Sequence, residues 1–373
     1  MSEEEIKRDL TQKKDRKGKN KGEWSEFYAF LRLLVDGELH LSNPDLTRKT
    51  NLAFPILKIL RNSNQDLNFE IGRTVLVRHP SGKLLAELSK DAVSSYADAI
   101  LEGIQAGKGI SFWIPIAEKI LEELHLDRIC DDSSNTSDIR LVVLDSITQA
   151  TPLLGFSIKS YLGGKPTLFN ASGSTNFVFA VSPVPDPDTV RFVNELKSYT
   201  ERLKWLHTHG FGLTYVDMKS EIFKSNLQQI DSLLPQIIGT MLLKFYSGEG
   251  SKLRELADLL TSDNPCGYNL GVTPKTYEYK LKRFLVDIAL GMKANTPWTG
   301  VFNATGGHII VKSSGEIVCF HTINWNELQD YLFNGTRFEK PSSGRHGYGD
   351  LYEEIGLSGE RCVLMNLNLQ IRF

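Results

Sequence analysis

The stretch Asp138-Ile-Arg-Leu-Val-Val-Leu-Asp145, followed closely by Gly155-Phe-Ser-Ile-Lys-Ser160, decides how the chain folds. Residues 139 to 144 are almost entirely β-branched or aliphatic, which is typical of a strand covered on both faces. The polar segment Gln149-Ala-Thr-Pro-Leu interrupts the pattern before the second run. We therefore expect two neighbouring strands.

The second of these strands places a lysine where a core residue is expected. Ser157 and Lys159 are two residues apart and point to one face, while Phe156 and Ile158 point to the other. A lysine facing inward is costly unless an acid or an anion meets it. Asp138, at the start of the adjacent strand, is the candidate partner.

The bulk composition describes an ordinary globular chain. With 373 residues, 41% hydrophobic and 24% charged, it has room for a large core, and its net charge of −2 announces no polyanion partner. It has no apolar run of ~18 residues and begins Met-Ser-Glu-Glu-Glu, so we expect no membrane span and no signal peptide. The cysteines are scattered, which argues against structural zinc and disulfides and favours a reducing cytoplasm. They are Cys130, Cys266, Cys319 and Cys362.

The chain divides into four parts by pattern. Residues 1–19 form a basic arm, which is either a solubilising tail or a contact to DNA phosphates. Residues 20–185 predict a mixed central β-sheet with flanking helices, 186–300 predict a helical insertion or subdomain, and 301–373 return to strands. The predicted class is α/β. Two helices across the loop at residues 263–267 are either a helix-turn-helix or an ordinary helix pair.

The first strong helix follows Asn20 and carries Glu26 close to its buried edge. Phe27, Phe30, Leu31 and Leu34 give it an apolar stripe, and Gly37 ends it. Glu26 has two interpretations. It either complements the helix dipole and takes part in capping, or it serves a site over the sheet.

An acid on one strand and a lysine on the next suit phosphodiester hydrolysis. Magnesium needs only one or two carboxylates besides water, and Asp138 is the first candidate ligand. Lys159 can orient the attacking water and oppose the charge of the phosphate, and the carbonyl of Ile158 can complete the shell of the ion. PD-(D/E)XK nucleases share this arrangement, but Ser157 stands where they have a second acid. Either Ser157 binds through a water, or a carboxylate from elsewhere, for which Glu26 is the candidate, takes that place.

Three long blocks resemble the HpaII family of type II restriction endonucleases. They are residues 20–26 with their helix, residues 155–160 with 166–172, and the terminal residues 366–373, and the segments 330–338 and 343–346 are similar too. The resemblance spans nearly the whole chain beyond the basic arm. It implies a restriction-endonuclease-like core at 20–185, magnesium-dependent cutting of double-stranded DNA at CCGG, and a companion DNA methyltransferase.

Two polar loops are candidates for contacts to DNA. The Gly-rich run after Lys159 carries Lys165, Asn170 and Ser172, and either binds phosphates or is a plain connection. Arg345 and His346 lie in a Gly-bracketed loop. Arginine reads guanine with two hydrogen bonds, although Arg345 could equally meet phosphate or solvent.

Alternatives to a restriction endonuclease remain at this level. One is a catalytically silent DNA-binding protein, and the other is a repair or junction nuclease that recognises structure rather than sequence. A palindromic site cut on both strands favours a two-fold dimer, although monomers also cut such sites.

Overall fold

The computed structural model describes residues 18–62, 66–131, 137–145, 149–356 and 359–373. Most of the predicted basic arm lies outside the described residues. The described chain forms two compact units. The first contains the residues up to Pro166 together with Phe302–Leu328, and the second contains Thr167–Val301 together with Gln329–Phe373.

The described chain contains both helices and strands. The helices are α1 (Lys21–Asp36), α2 (Lys90–Ala106), α3 (Ala117–Glu123), α4 (Pro187–Glu195), α5 (Tyr199–Thr208), α6 (Glu221–Ile230), α7 (Leu234–Ser247), α8 (Leu253–Asp263), α9 (Thr276–Leu290), α10 (Trp325–Gly335) and α11 (Ser343–His346). The strands are β1 (Glu38–Ser42), β2 (Arg48–Asn62), β3 (Asp66–Ile71), β4 (Thr74–Arg78), β5 (Leu84–Ser89), β6 (Ile139–Val143), β7 (Leu153–Ser160), β8 (Thr167–Phe169), β9 (Asn176–Ser182), β10 (Gly212–Met218), β11 (Gly307–Val311), β12 (Ile317–His321), β13 (Arg337–Phe338), β14 (Leu351–Ile355), β15 (Arg361–Asn368) and β16 (Ile371–Arg372).

The first unit is built on a mixed sheet of nine strands in the order β1-β12-β11-β7-β6-β2-β3-β4-β5. β6 and β7 are antiparallel neighbours, and β11 lies parallel to β7 on its other side. The prediction of adjacent strands within a mixed sheet is confirmed. β1 also pairs with β2, so six of the strands close into a ring that the sequence pattern did not predict.

Helix α1 forms where its sequence predicts and is buried on most sides. The Asn20 side chain accepts from Glu23 N while the Glu23 carboxylate accepts from Asn20 N, which is a complete capping box. Gly37 ends the helix at φ +66°, a conformation that favours glycine. Trp24 and Phe30 are fully buried in the core of the first unit.

The second unit contains a sheet of order β10-β9-β15-β14, a small sheet of order β13-β16-β8, and helices α4–α9. One part of the predicted helical block is wrong, because β10 lies within it. Gly212-Leu-Thr-Tyr-Val-Asp-Met218 alternates exposed and half-buried side chains, as a strand at the edge of a sheet does.

Two further details differ from the sequence predictions. The alternation of polar and apolar residues over 365–373 predicts a strand with one wet face, but from Val363 to Asn368 every residue of β15 is buried. The boundary between the units falls at Thr167 rather than residue 186, because β8 and β9 pair with the C-terminal strands β16 and β15. Among the described residues, no helix is both long and apolar enough to cross a membrane.

Candidate functional site

Asp138 is held between β6 and β7 by three hydrogen bonds. Its backbone N–H donates to the carbonyl of Phe156 at 2.9 Å. Its Oδ2 accepts from the Ile158 N–H at 2.6 Å and from the Ser157 hydroxyl at 3.0 Å. The structure therefore brings Asp138 and Ser157 together and fixes the carboxylate beside the strand that carries Lys159.

Glu26 on α1 shares this electrostatic environment. The pKa of Glu26 is raised to about 8, chiefly by burial and next by the negative charge of Asp138, while the positive charges of Arg61 and Lys159 act in the opposite direction. The capping interpretation of Glu26 is wrong, because Glu23 completes the capping box of α1. A half-buried carboxylate without a capping role is left close to a second carboxylate.

The sequence reasoning missed Arg61, which lies near the end of β2 and is 2% exposed. Its Nε lies 2.6 Å from Asp131 Oδ1, and its Nη2 donates to the carbonyl of Ile129 at 2.7 Å. The guanidinium carbon lies 4.8 Å from the centroid of the Phe30 ring, one helical turn beyond Glu26. The sequence does contain a signal for Arg61, because it follows the apolar residues Ile59 and Leu60. Like Lys159, a cation in such a strand is costly to bury unless an acid or an anion meets it.

Lys159 is half-buried near the end of β7. Within the described part of the chain, its ammonium group has no hydrogen bond and no carboxylate within 4 Å. On the parallel strand β11, His308 lies in register with Ser157 and Ile310 lies in register with Lys159. We refer to Glu26, Arg61, Asp138, Ser157 and Lys159 as the charged centre.

The chemistry of the donors in the charged centre suits magnesium better than zinc. No group of three or more His, Cys, Asp or Glu side chains that could hold a metal occurs among the described residues. Magnesium needs only one or two carboxylates and keeps several waters, whereas structural zinc takes four protein ligands. The charged centre contains two carboxyl groups, those of Glu26 and Asp138, and the Ile158 N–H donates to Asp138.

The candidate DNA-contact residues fall on both units. Lys165 is exposed in the first unit. In the second unit, exposed Asn170 and half-buried Ser172 follow β8, while exposed Arg345 and half-buried His346 form the end of α11. These two loops of the second unit are tied to each other by buried side chains.

Four buried polar residues connect the two loops, and we refer to them as the amide cluster. They are Thr175, Asn176, Asn366 and Asn368. Asn368 Nδ2 donates to the Ser172 carbonyl at 2.7 Å and to Asn176 Oδ1 at 2.6 Å. Asn176 Nδ2 donates to the His346 carbonyl at 2.8 Å. The structure thus brings the Ser172 and His346 backbones together, a proximity that follows from the pairing of β9 with β15.

Comparison with known proteins agrees with the resemblance seen in the sequence. The family model described as HpaII restriction endonuclease matches residues 20–373. Type II restriction enzyme HpaII of Haemophilus parainfluenzae is 37% identical over 362 residues, which cover 95% of this chain and 98% of that enzyme. No solved structure matches the chain.

Proposed function

Because this chain belongs to the HpaII restriction endonuclease family, it is a site-specific DNA endonuclease, and we propose that it hydrolyses double-stranded DNA at CCGG with magnesium. The observation that carries the proposal is the charged centre. There a carboxylate fixed by Ser157 and Ile158 lies beside the strand that carries Lys159, and its negative charge raises the pKa of the half-buried Glu26.

We assign the binding of the cation to Asp138 and Glu26, with the carbonyl of Ile158 as the candidate third ligand. When bound, the ion supplies positive charge to the phosphoryl oxygens and to the leaving oxygen. Lys159 orients the attacking water and opposes the charge that develops on the phosphate. The hydroxyl of Ser157 fixes the rotamer of Asp138, so it supports this carboxylate as a hydrogen-bond donor.

The order of these residues matches a PD-(D/E)XK core with one departure. Asp138 occupies the place of the first acid and Lys159 that of the lysine, while Ser157 stands where the second acid is expected. In this proposal Glu26 provides the missing carboxyl group from α1. The negative charge of Asp138 raises the pKa of Glu26, and this proximity supports that role.

We assign sequence recognition to the second unit. Arg345 has the donor geometry for the O6 and N7 atoms of guanine, and both strands of CCGG contain guanine. His346, Asn170 and Ser172 lie on the two tied loops and are candidates for base or phosphate contacts, and Lys165 is a candidate for a phosphate contact.

The proposal extends to partners and location. An endonuclease of this specificity requires a DNA methyltransferase that protects the host genome, and a palindromic target favours a two-fold homodimer. All four cysteines are free, which supports a reducing compartment such as the cytoplasm.

Digestion of a sequenced plasmid tests the proposal. With magnesium, we expect discrete fragments whose ends all map to CCGG, and we expect chelation of the metal to stop the reaction. A smear or nicking at unrelated sites would show a nuclease without this specificity. DNA binding with no cleavage in magnesium or manganese would contradict the catalytic assignment.

A further inference from the structure

The amide cluster connects two loops of the second unit through buried side chains. We infer that Asn176 and Asn368 are positioning residues that hold the Ser172 loop and the Arg345–His346 loop in one fixed arrangement for reading DNA. This inference rests on the proposed function of the two loops.

Asn176 on β9 and Asn368 on β15 lie opposite each other, because these adjacent strands pair in that register. Their exposed fractions are 3% and 0%. The Asn176 side chain donates to the His346 carbonyl in one loop, and the Asn368 side chain donates to the Ser172 carbonyl in the other. The two side chains are joined to each other by a hydrogen bond of 2.6 Å. A chain of three hydrogen bonds therefore runs from one loop to the other.

Thr175 and Asn366 complete the arrangement. The Thr175 hydroxyl accepts from the Ser172 N–H at 3.0 Å and lies 3.2 Å from Asn368 Oδ1. The backbone of Asn366 accepts from the Gly349 N–H at 2.9 Å, and its side-chain Oδ1 accepts from the Tyr352 hydroxyl at 2.9 Å. Such a network of buried and mutually satisfied polar groups is rigid, because leaving one member unpaired costs more than the bond contributes.

The base of the Arg345–His346 loop is fixed separately. The Tyr348 hydroxyl donates to the Pro341 carbonyl and closes the loop on itself. The Lys340 ammonium lies 5.8 Å from the Tyr199 centroid and 5.6 Å from those of Phe245 and Tyr246, within the range of cation–π attraction. Because these contacts fix the loop at its base, the bond from Asn176 to His346 has a different task, which is to set the loop against its neighbour.

Reading a base edge requires the donor to lie within a fraction of an ångström of its place. The backbones of Ser172 and His346 carry the side chains that would meet the DNA. A change in the amide cluster therefore moves the reading groups without removing any of them. Discrimination between cognate and near-cognate sites should suffer more than the rate of the chemical step.

The decisive experiment measures cleavage of two duplexes in magnesium, one with CCGG and one with CCGA. The quantity compared is the ratio of kcat/KM for the two duplexes. For Asn176→Ala we expect this ratio to fall by about tenfold, the size of one good base contact, mainly through KM for the cognate site. The kcat at saturating cognate DNA should change much less.

Asn226→Ala is the matched control. Asn226 is 1% exposed in the same unit and donates to the carbonyls of Lys293 and Thr296 at 3.0 and 2.9 Å, and neither of these acceptors belongs to either loop. The Asn226→Ala variant loses comparable buried hydrogen bonds, so it should lose stability. Its ratio of kcat/KM for the two duplexes should stay at the wild-type value. An equal loss of discrimination in Asn226→Ala, or an unchanged ratio in folded Asn176→Ala, overturns the inference.

Two substitutions of Thr175 provide a second and milder test of the inference. Thr175→Val keeps the shape and removes the hydroxyl, whereas Thr175→Ser keeps the hydroxyl. If Asn176→Ala shows no cooperative thermal transition, this pair decides: the ratio should fall in the valine variant and recover in the serine variant, and equal ratios contradict the inference. A wild-type enzyme that cuts both duplexes equally would instead refute the proposed function.

Discussion

The charged centre of the first unit and the amide cluster of the second bury polar groups in opposite ways. In the charged centre, burial raises the pKa of Glu26 to about 8, and the Lys159 ammonium has no carboxylate within ion-pair distance among the described residues. In the amide cluster the groups are neutral, and hydrogen bonds join them to each other and to the backbones of two loops.

This difference separates two tasks. Charges that are incompletely neutralised cost free energy in the folded protein, but they are available to a cation, a water or a phosphate. Neutral amides with satisfied hydrogen bonds offer no reactive group and fix geometry instead. Substitutions in the first unit should therefore change the rate of cleavage, whereas substitutions in the second should change where cleavage occurs.

The largest effect is expected from Lys159→Ala. Removing the ammonium group removes charge at the phosphate and one support of the attacking water, so cleavage should fall roughly a thousandfold or more. Single-turnover cleavage of a CCGG duplex measures the rate, and gel shift measures binding, which should be largely retained. Lys108→Ala, which changes an exposed lysine of the same unit, is the control. Normal cleavage by Lys159→Ala would remove Lys159 from the mechanism.

Glu26→Gln should reduce cleavage by about a hundredfold, since an amide cannot replace the carboxylate at a cation. The same change has an opposite effect on stability. The folded protein holds a proton on Glu26 up to about pH 8, whereas the unfolded chain releases it near pH 4.5, so the stability of metal-free enzyme falls as the pH rises between these values.

Thermal melts of metal-free enzyme from pH 5 to pH 8 test the sign of this effect. The decline in melting temperature from pH 5 to pH 8 should be smaller in Glu26→Gln than in the wild type. At pH 8 the variant should be the more stable of the two. Glu102→Gln, at an exposed position on α2, should follow the wild type in cleavage and in its melts. A Glu26→Gln enzyme that cuts at the wild-type rate would mean that Glu26 serves neither cation nor chemistry.

The sequence predicted those parts of the fold that depend on local pattern. The alternation at Ser157 and Lys159 located β7, and the position of Asp138 beside it followed from the adjacency of two strands. Glu26 was found because its position on the apolar edge of α1 needed an explanation. Local pattern also gave a wrong prediction at β10. This strand is flanked by helices in the sequence, so the whole segment was predicted to be helical.

Other features depend on contacts that no local pattern encodes. Arg61 meets Ile129 and Asp131 some seventy residues later in the chain, and only the folded sheet brings these groups together. The amide cluster joins Asn176 to Asn368 through the pairing of β9 with β15. Single asparagines in strands carry no sequence signal for such a pairing, so the link between the two loops could not be predicted.

Acid should destabilise the first unit through His321. This side chain is 5% exposed and lies 5.0 Å from the Phe54 ring and 5.7 Å from the Phe156 ring, and burial lowers the pKa of His321 to about 4. The unfolded chain takes up this proton near pH 6.5. The contribution to stability is therefore complete above pH 6.5 and is lost as the pH falls toward 4, by about 3 kcal/mol.

Denaturant unfolding at pH 7 and pH 4 measures this loss. His321→Gln cannot take up the proton and should show a smaller difference between the two pH values than the wild type. His207→Gln, an exposed position in the second unit, should retain the wild-type difference. If all three proteins lose the same free energy, groups other than His321 cause the acid sensitivity.

The smallest effect is expected from Arg345→Ala, and it tests the second half of the comparison. Loss of a two-bond contact to guanine should lower discrimination between CCGG and CCGA by about tenfold, while the rate at saturating CCGG stays within the same order of magnitude. Arg345→Lys should also lose discrimination, because an ammonium group keeps the charge but not the paired donors of the guanidinium. Arg191→Ala removes a guanidinium that is 72% exposed on α4 and should keep the wild-type ratio. If Arg345→Lys discriminates as well as the wild type, Arg345 acts on the phosphate backbone, and recognition of guanine has to be sought in another side chain of the tied loops.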